Sequence, residues 1–180
     1  DTGVTGAPAA KADITREQVA EAGGMPLKQI LENPSREVAA PVMAAGATAI
    51  VTKLASEGKI HGILSIGGTQ GTTLSTKAMR ALPYGFPKLM VSTMASGNVA
   101  PWVDIKDVTM MFSVTDIMWL NPVMRKILAN AAGAVCGMAE VGVKLERGRK
   151  PLVAITTVGI TTKGAMKAAE LLEKEGYETI

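Results

Sequence analysis

Four short strand-like runs, each opening into Gly, Ser and Thr residues and most leading on to a helix-like stretch, constrain this chain more than any other feature. The runs are residues 60–66, 88–93, 108–113 and 152–157. Strands buried on both faces of a parallel sheet read as near-continuous apolar runs. Helical patterns at 72–82, about 122–144 and 165–174 follow three of them. Strands alternating with helices imply parallel pairing and right-handed crossovers, hence an α/β sheet.

The remaining segments fit around that frame. Residues 1–24 are rich in Gly, Ala and Pro and read as mostly loop, with a short helix at 15–22 capped by Asp13 or Thr15. Asn33-Pro34-Ser35 reads as a helix start. Val38, Val42, Ala45, Ala49, Ile50 and Leu54 keep helical spacing to about Glu57, and Gly58 closes that helix. Pro41 lies beyond its first turn and would kink it. Asn121 before Pro122 reads as an N-cap followed by the first helical position. Arg147-Gly148-Arg149-Lys150-Pro151 breaks the pattern, so two segments are expected, residues 1–150 and 151–180. The chain opens on Asp1-Thr2-Gly3, which reads as the exit of a strand, and closes on a strand-like 177–180. The expectation is a piece truncated at both ends.

Composition excludes several classes. The chain has 180 residues and is 47% hydrophobic, with a mean hydropathy of +0.23. No apolar run approaches the ~20 residues of a membrane helix. The first residues lack the basic and apolar regions of a signal peptide. The net charge is +3, the Lys and Arg are scattered apart from a loose cluster at 144–150 diluted by Glu146, and there are only two each of Trp, Tyr and Phe. Nucleic-acid binding by charge and stacking is not indicated. The single cysteine, Cys136, cannot form an internal disulfide and fits a reducing, cytoplasmic setting. Its small apolar neighbours read as a packed core. The single histidine, His61, lies within the first run, at the wrong end of the strand for catalysis.

In a parallel α/β sheet, ligands lie beyond the carboxyl ends of the strands. The segments expected there are Asp1 to Gly3, residues 67–73, 93–98, Thr115-Asp116 and 157–162. Gly67, Gly68, Thr69, Gln70, Gly71, Thr72 and Thr73 make the strongest candidate. Glycines let the backbone turn and let an anion approach. A following helix start offers unpaired N–H groups, and the threonines add hydroxyls. The guest that fits is a phosphate. The competing account is a tight strand-to-helix turn with capping threonines. The stretch lacks the Gly-Lys-Ser/Thr of a P-loop and is not Gly-x-Gly-x-x-Gly. Thr93, Ser96, Gly97 and Asn98 form a weaker second segment. Asp116, and Asp1 beside the presumed missing strand, would hold Mg²⁺ through water. Surface solvation or helix capping is the alternative for Asp116.

Three stretches resemble a known family. They are Gly67 to Thr72, residues 88–97, and residues 107–121, and further matches fall at 13–17 and 150–153. The chain is similar, over essentially its whole length, to the Tm-one-like ATP-binding domain family, a largely uncharacterised bacterial, fungal and plant family. The resemblance implies two Rossmann-like halves, ATP bound at the first, and homodimers. It also implies a strand before Asp1 and a second Gly-rich segment beyond Ile180. Gln70 stands where the family usually has glycine, and Asn98 where aspartate is common, which removes a metal ligand.

The expected fold class is therefore α/β, a Rossmann-like, mostly parallel sheet with helices on both faces. The leading functional expectation is a nucleotide-binding module. ATP phosphates would lie on Gly67 to Gly71, Thr69, Thr72 and Thr73 would donate hydroxyl hydrogen bonds, and Ser96, Gly97 and Asn98 would line the ribose. One alternative is an enzyme acting on a phosphorylated metabolite, with Asp1, Asp104, Asp107 or Asp116 as base. Another is a dimeric scaffold that binds no nucleotide.

Overall fold

The computed structural model describes residues 1–180 except Ala7, Asn33, Pro34, Lys144, Glu146 and Arg147, together with the side chain of Arg36. The Asn33-Pro34 helix start and parts of the 144–150 basic cluster lie outside the described residues. The chain divides into two units, Asp1–Val143 and Lys144–Ile180.

In the first unit, α1 (Arg16–Ala22) starts at Thr15, whose hydroxyl accepts from the Gln18 N–H while the Gln18 side chain reaches back to the cap. A second helix, α2 (Leu27–Glu32), was not legible in the sequence. It is only six residues long and has no strong cap, and the burial of Leu27 and Ile30 against the first core cluster favours it. The long α3 (Arg36–Ser56) is capped by Ser35 and carries Pro41 inside it. The positive φ of Gly58 turns the chain out of it.

The sheet follows. β1 (Ile63–Gly67), β2 (Lys88–Ser92) and β3 (Thr109–Phe112) pair in the order β1-β2-β3, with Ile63 opposite Lys88 and Leu89 opposite Thr109, all parallel. The fold is Rossmann-like α/β. Every residue of central β2 is buried. Alternation along it sends Met90 towards α4 (Thr69–Arg80), where it packs with Met79, Val108 and Ile63. Leu89 and Val91 face the other way, on to Ile127, Leu128, Ala131, Ala134 and Val135 of α6 (Pro122–Glu140). Helices thus cover both faces. The short α5 (Ala100–Val103) lies between β2 and β3 in the chain and packs against α4.

Three expectations are corrected here. Cys136 is exposed, not a core thiol, because α6 packs through the stripe from Ile127 to Val135 and Cys136 falls outside it. The α6 helix ends at Glu140, where Val141 leaves helical geometry, rather than near Lys144. Over Glu37–Ser56, α3 is long and apolar enough to span a membrane by length and composition. The expectation that no apolar run is long enough therefore does not hold for this segment, whose many alanines supply much of its apolar character. In this fold Ala39, Met43, Ala44 and Ala47 bury one face, and α3 packs against α1 and α4.

In the second unit β4 (Leu152–Val153) pairs in parallel with β5 (Glu178–Thr179), and α7 (Thr162–Lys174) lies between them in the chain, entered by a 3₁₀ turn at Gly159–Thr161. The 157–162 segment belongs to this unit and is closed by its own hydroxyls, with Thr157 Oγ1 2.8 Å from Thr161 Oγ1.

Candidate functional site

The carboxyl ends of β1, β2 and β3 lie side by side, and so do the turns that leave them. The Thr93 N–H donates to the Gly67 carbonyl at 3.3 Å, and the Ser113 N–H donates to the Ser92 carbonyl at 3.1 Å. The first segment is tighter than its composition implied. α4 begins at Thr69, so Gly71 is already helical and the turn itself is Gly67-Gly68. A Cβ on Gly67 would sit 2.8 Å from the Gly71 Cα, so Gly67 must be glycine for the first turn of α4 to fold back on to β1. Gly68 differs. Its φ of −77° suits any residue, and the nearest atom to an added Cβ is Thr93 Oγ1 at 3.7 Å. A Cβ on Gly71 would likewise meet only the Ile66 carbonyl, at 3.7 Å. The internal fold therefore does not require glycine at 68 or 71.

Buried hydroxyls fix the peptide groups of this turn. Thr72 is fully buried, and its Oγ1 donates to the Gly68 carbonyl at 2.8 Å. Ser92, also fully buried, lies 2.7 Å from Thr72 Oγ1 and accepts from the Met94 N–H at 3.0 Å. With the Thr72 proton on Gly68, Ser92 is the donor to Thr72. The Gly68 carbonyl also takes the Thr72 N–H at 2.8 Å, so it points down the helix. In a trans peptide the N–H points opposite to the C=O. The Thr69 N–H therefore points out of the helix end, and the Gly68 N–H points away from β2, opposite to the Gly67 carbonyl. Neither N–H has an acceptor among the described residues. They lie where the partial positive charge of a helix start is greatest.

The other expected site residues fall as follows. Thr72 faces inwards, so its hydroxyl shapes the turn and does not point to the open side. Thr73 is exposed, donates to the Thr69 carbonyl at 2.9 Å and accepts from Trp102 Nε1 at 3.1 Å. Thr69 and Gln70 are exposed on the first turn of α4. Ser96 and Gly97 are exposed in the turn after β2. Asn98 Oδ1 accepts from the Ala100 N–H at 3.0 Å, just before α5. Asp116 is exposed beyond β3, with the Ile117 N–H on its carboxylate at 2.8 Å. β3 lies two strand spacings from β1, about 10 Å. Asp1 takes part elsewhere. Its carboxylate accepts from the Gly3 N–H at 2.8 Å, and it lines an open hollow bounded by described residues between Asp1 and Arg16. No hydrogen bond among the described residues joins it to the Gly67-Gly68 turn. Among the described residues no group of three or more His, Cys, Asp or Glu side chains is gathered as a metal site. His61 is exposed just before β1, at the amino end of the sheet.

The sequence did not point to two neighbours of this turn, Trp102 and Pro41. Trp102 reaches Thr73 across 29 positions of sequence. Pro41 and Ala40 of α3 border a cleft that includes Thr69, Gln70 and Thr73. No local pattern encodes those approaches.

Fold and site together define a Rossmann-like α/β module whose first strand-to-helix turn presents backbone N–H groups at the carboxyl edge of the sheet. The model of the uncharacterised protein family UPF0261, N-terminal domain, matches residues 1–144, and the chain belongs to that family. It is 44% identical over its whole length to a UPF0261 protein of Clostridium tetani, of which the match covers 45%. It is 39% identical over 93% of its length to the UPF0261 protein RA0729 of Rhizobium meliloti, covering 41% of that chain. A tomato relative, the ToMV susceptible protein tm-1(GCR26) of Solanum lycopersicum, is 36% identical over 72% of this chain, which is 18% of the tomato protein. That relative fits the Tm-one-like family resemblance. The chain spans less than half the length of these curated relatives.

Proposed function

We propose that this chain is a nucleotide-binding module that holds the phosphates of ATP at the Gly67-Gly68 turn. The observation that carries the reading is the pair of outward N–H groups on Gly68 and Thr69, fixed by Thr72 and Thr93 and left without an acceptor among the described residues. Glycine at 68, which the fold does not require, leaves room for an anion to meet those N–H groups. Exposed Thr69 adds a hydroxyl at the same turn, and Ser96 and Gly97 form the neighbouring wall. Asp116 would meet a nucleotide-borne Mg²⁺ through water, as one carboxylate on the far side of the sheet's edge. ATP supplies charge for the N–H groups to bind, and this chain's residues orient it.

Calorimetric titration with ATP and Mg²⁺ tests the reading, with inorganic phosphate and a sugar phosphate alongside. Saturable ATP binding that Gly68→Asp abolishes is the expected result. Equal affinity in Gly68→Asp overturns it.

Self-association belongs to the same reading. Met118, Trp119, Leu120 and Val123 are exposed together at the entry to α6, and a second copy of the chain would cover them. Sedimentation of Trp119→Lys is expected to show a monomer where the parent is a dimer.

A further inference from the structure

Described residues between Asp1 and Arg16 bound an open hollow of about 450 Å³. Sites for small molecules run from roughly 300 to 1,000 Å³, so the hollow is large enough for one. Arg16 is its mostly buried charge, with a side chain only 16% exposed. Nε, nearest the stem, donates to Glu17 Oε1 at 3.3 Å. Nη1 donates to the carbonyl of Gly6, which is part of the hollow's wall, so the head of the guanidinium lies at the hollow. Nη2 has no acceptor among the described residues. Among those residues no buried side-chain nitrogen or oxygen lacks a partner, so Nη2 is open to solvent. Tethering Gly6 therefore occupies one arm of the fork and leaves the other for a guest. Arg16 also borders a second hollow, beside Leu27 and Leu31. There each cation already faces a carboxylate, Glu17 for Arg16 and Glu32 for Lys28 at 4.0 Å.

The lining selects the class of guest. Lys11, exposed and without an ion pair among the described residues, borders the Asp1–Arg16 hollow and adds a second positive charge. Asp1 borders it too. Two cations against one carboxylate suit a guest with a single negative charge, and a multiply charged phosphate would meet the Asp1 carboxylate. A guanidinium presents its donors in a planar fork that matches a carboxylate. Pro8, Ala9, Ala10 and Ala12 make the remaining wall small and apolar. We infer that this hollow is a binding site for a small organic monocarboxylate. Its carboxylate takes the free arm of Arg16, with Lys11 as the second charge, and its apolar body lies on the proline and alanines. The site shares no residue with the Gly67-Gly68 turn and does not depend on the nucleotide reading.

The test is calorimetric titration of the whole chain with hexanoate and benzoate, with benzamide and inorganic phosphate alongside. Benzamide keeps the ring of benzoate and lacks its charge. Saturable binding of at least one carboxylate, tighter than either control, is the expected result. Arg16→Lys keeps the charge and loses the fork, so it should weaken that binding roughly tenfold or more. Lys11→Met removes an exposed charge and should weaken it about two- to fivefold. Gly68→Asp lies outside the hollow and should leave it unchanged. A parent that binds neither carboxylate overturns the inference, as does one that binds benzamide or inorganic phosphate as tightly. Parent affinity in either cationic variant, folded by circular dichroism, also overturns it. If Arg16→Lys fails to fold, Lys11→Met carries the test. Loss of carboxylate binding in Gly68→Asp would merge the hollow with the turn and overturn the separate site.

Discussion

The two ends of the three-stranded sheet treat polar groups in opposite ways. At the amino end, Lys88 is fully buried, and its Nζ donates to the Pro83 carbonyl at 2.7 Å and the Phe86 carbonyl at 2.8 Å and pairs with Asp107 at 2.9 Å. The second Asp107 oxygen takes the Gly85 N–H at 2.7 Å. Each ammonium proton has a partner, and the clip ties the α4–β2 loop to the start of β3. At the carboxyl end, Thr72 and Thr93 hold the Gly68 and Gly67 carbonyls, and the Gly68 and Thr69 N–H groups point outwards. Complete satisfaction marks the end that holds the fold. The unpaired N–H groups lie at the end where the proposed function places a ligand.

The largest effect should come from breaking the amino-end clip. Lys88→Met leaves Asp107 and two loop carbonyls without their partner and is expected to cost about 3–5 kcal/mol, read as a lower urea midpoint. Nucleotide affinity of the folded fraction should be unchanged. If affinity falls in step with stability, the two ends are not separate in role.

Next is the contrast between adjacent glycines. Gly67→Ala forces a Cβ against the Gly71 backbone and should destabilise by about 1–3 kcal/mol. Gly68→Ala meets only ordinary contact, so its urea midpoint should match the parent while its ATP affinity falls. Equal destabilisation by both would make the pair a purely structural turn.

Thr72→Val removes the hydroxyl that holds the Gly68 carbonyl and leaves Ser92 without its acceptor, at about 1–3 kcal/mol. Thr72→Ser should recover most of it. Amide exchange of Thr72, whose N–H shares the Gly68 carbonyl with the hydroxyl, should quicken in the valine variant only.

The smallest effect is in pH. Partial burial pushes the Asp107 carboxyl up, but hydrogen bonds from Lys88 and Gly85 and the Lys88 charge outweigh it, so its value lies below the usual carboxylate range. A carboxyl depressed on folding adds stability above its unfolded value, about 3.9 for an Asp, and loses it as pH falls through the lower folded value. Acid unfolding followed by circular dichroism should show this loss below about pH 4, and Asp107→Asn should flatten it. An unchanged acid limb in that variant would remove Asp107 from the clip's energetics.

Much of this architecture is written locally. The apolar runs gave β1, β2 and β3, and Thr15, Ser35 and Asn121 each cap the helix that follows them. Strand and cap signals operate over a few residues, so a linear reading finds them. The glycines at 67, 68 and 71 likewise announced a close approach, and their position after a strand placed it at the carboxyl edge.

Their separate roles were not legible. Gly67 and Gly68 are identical in sequence, and only the return of α4 on to β1 makes one indispensable and leaves space beside the other. Thr72 read as a donor to the guest because spacing does not say which way a helix faces. Packing against β2 turned it inwards to Ser92, twenty positions away. Cys136 sits among small apolar neighbours in a helix of which only one stripe is covered. Local composition chose helix, strand and turn through short-range backbone preferences. Which hydroxyl is buried, which N–H is left open and which residues of α3 meet α4 depend on contacts between distant segments, and those form only once the layers pack.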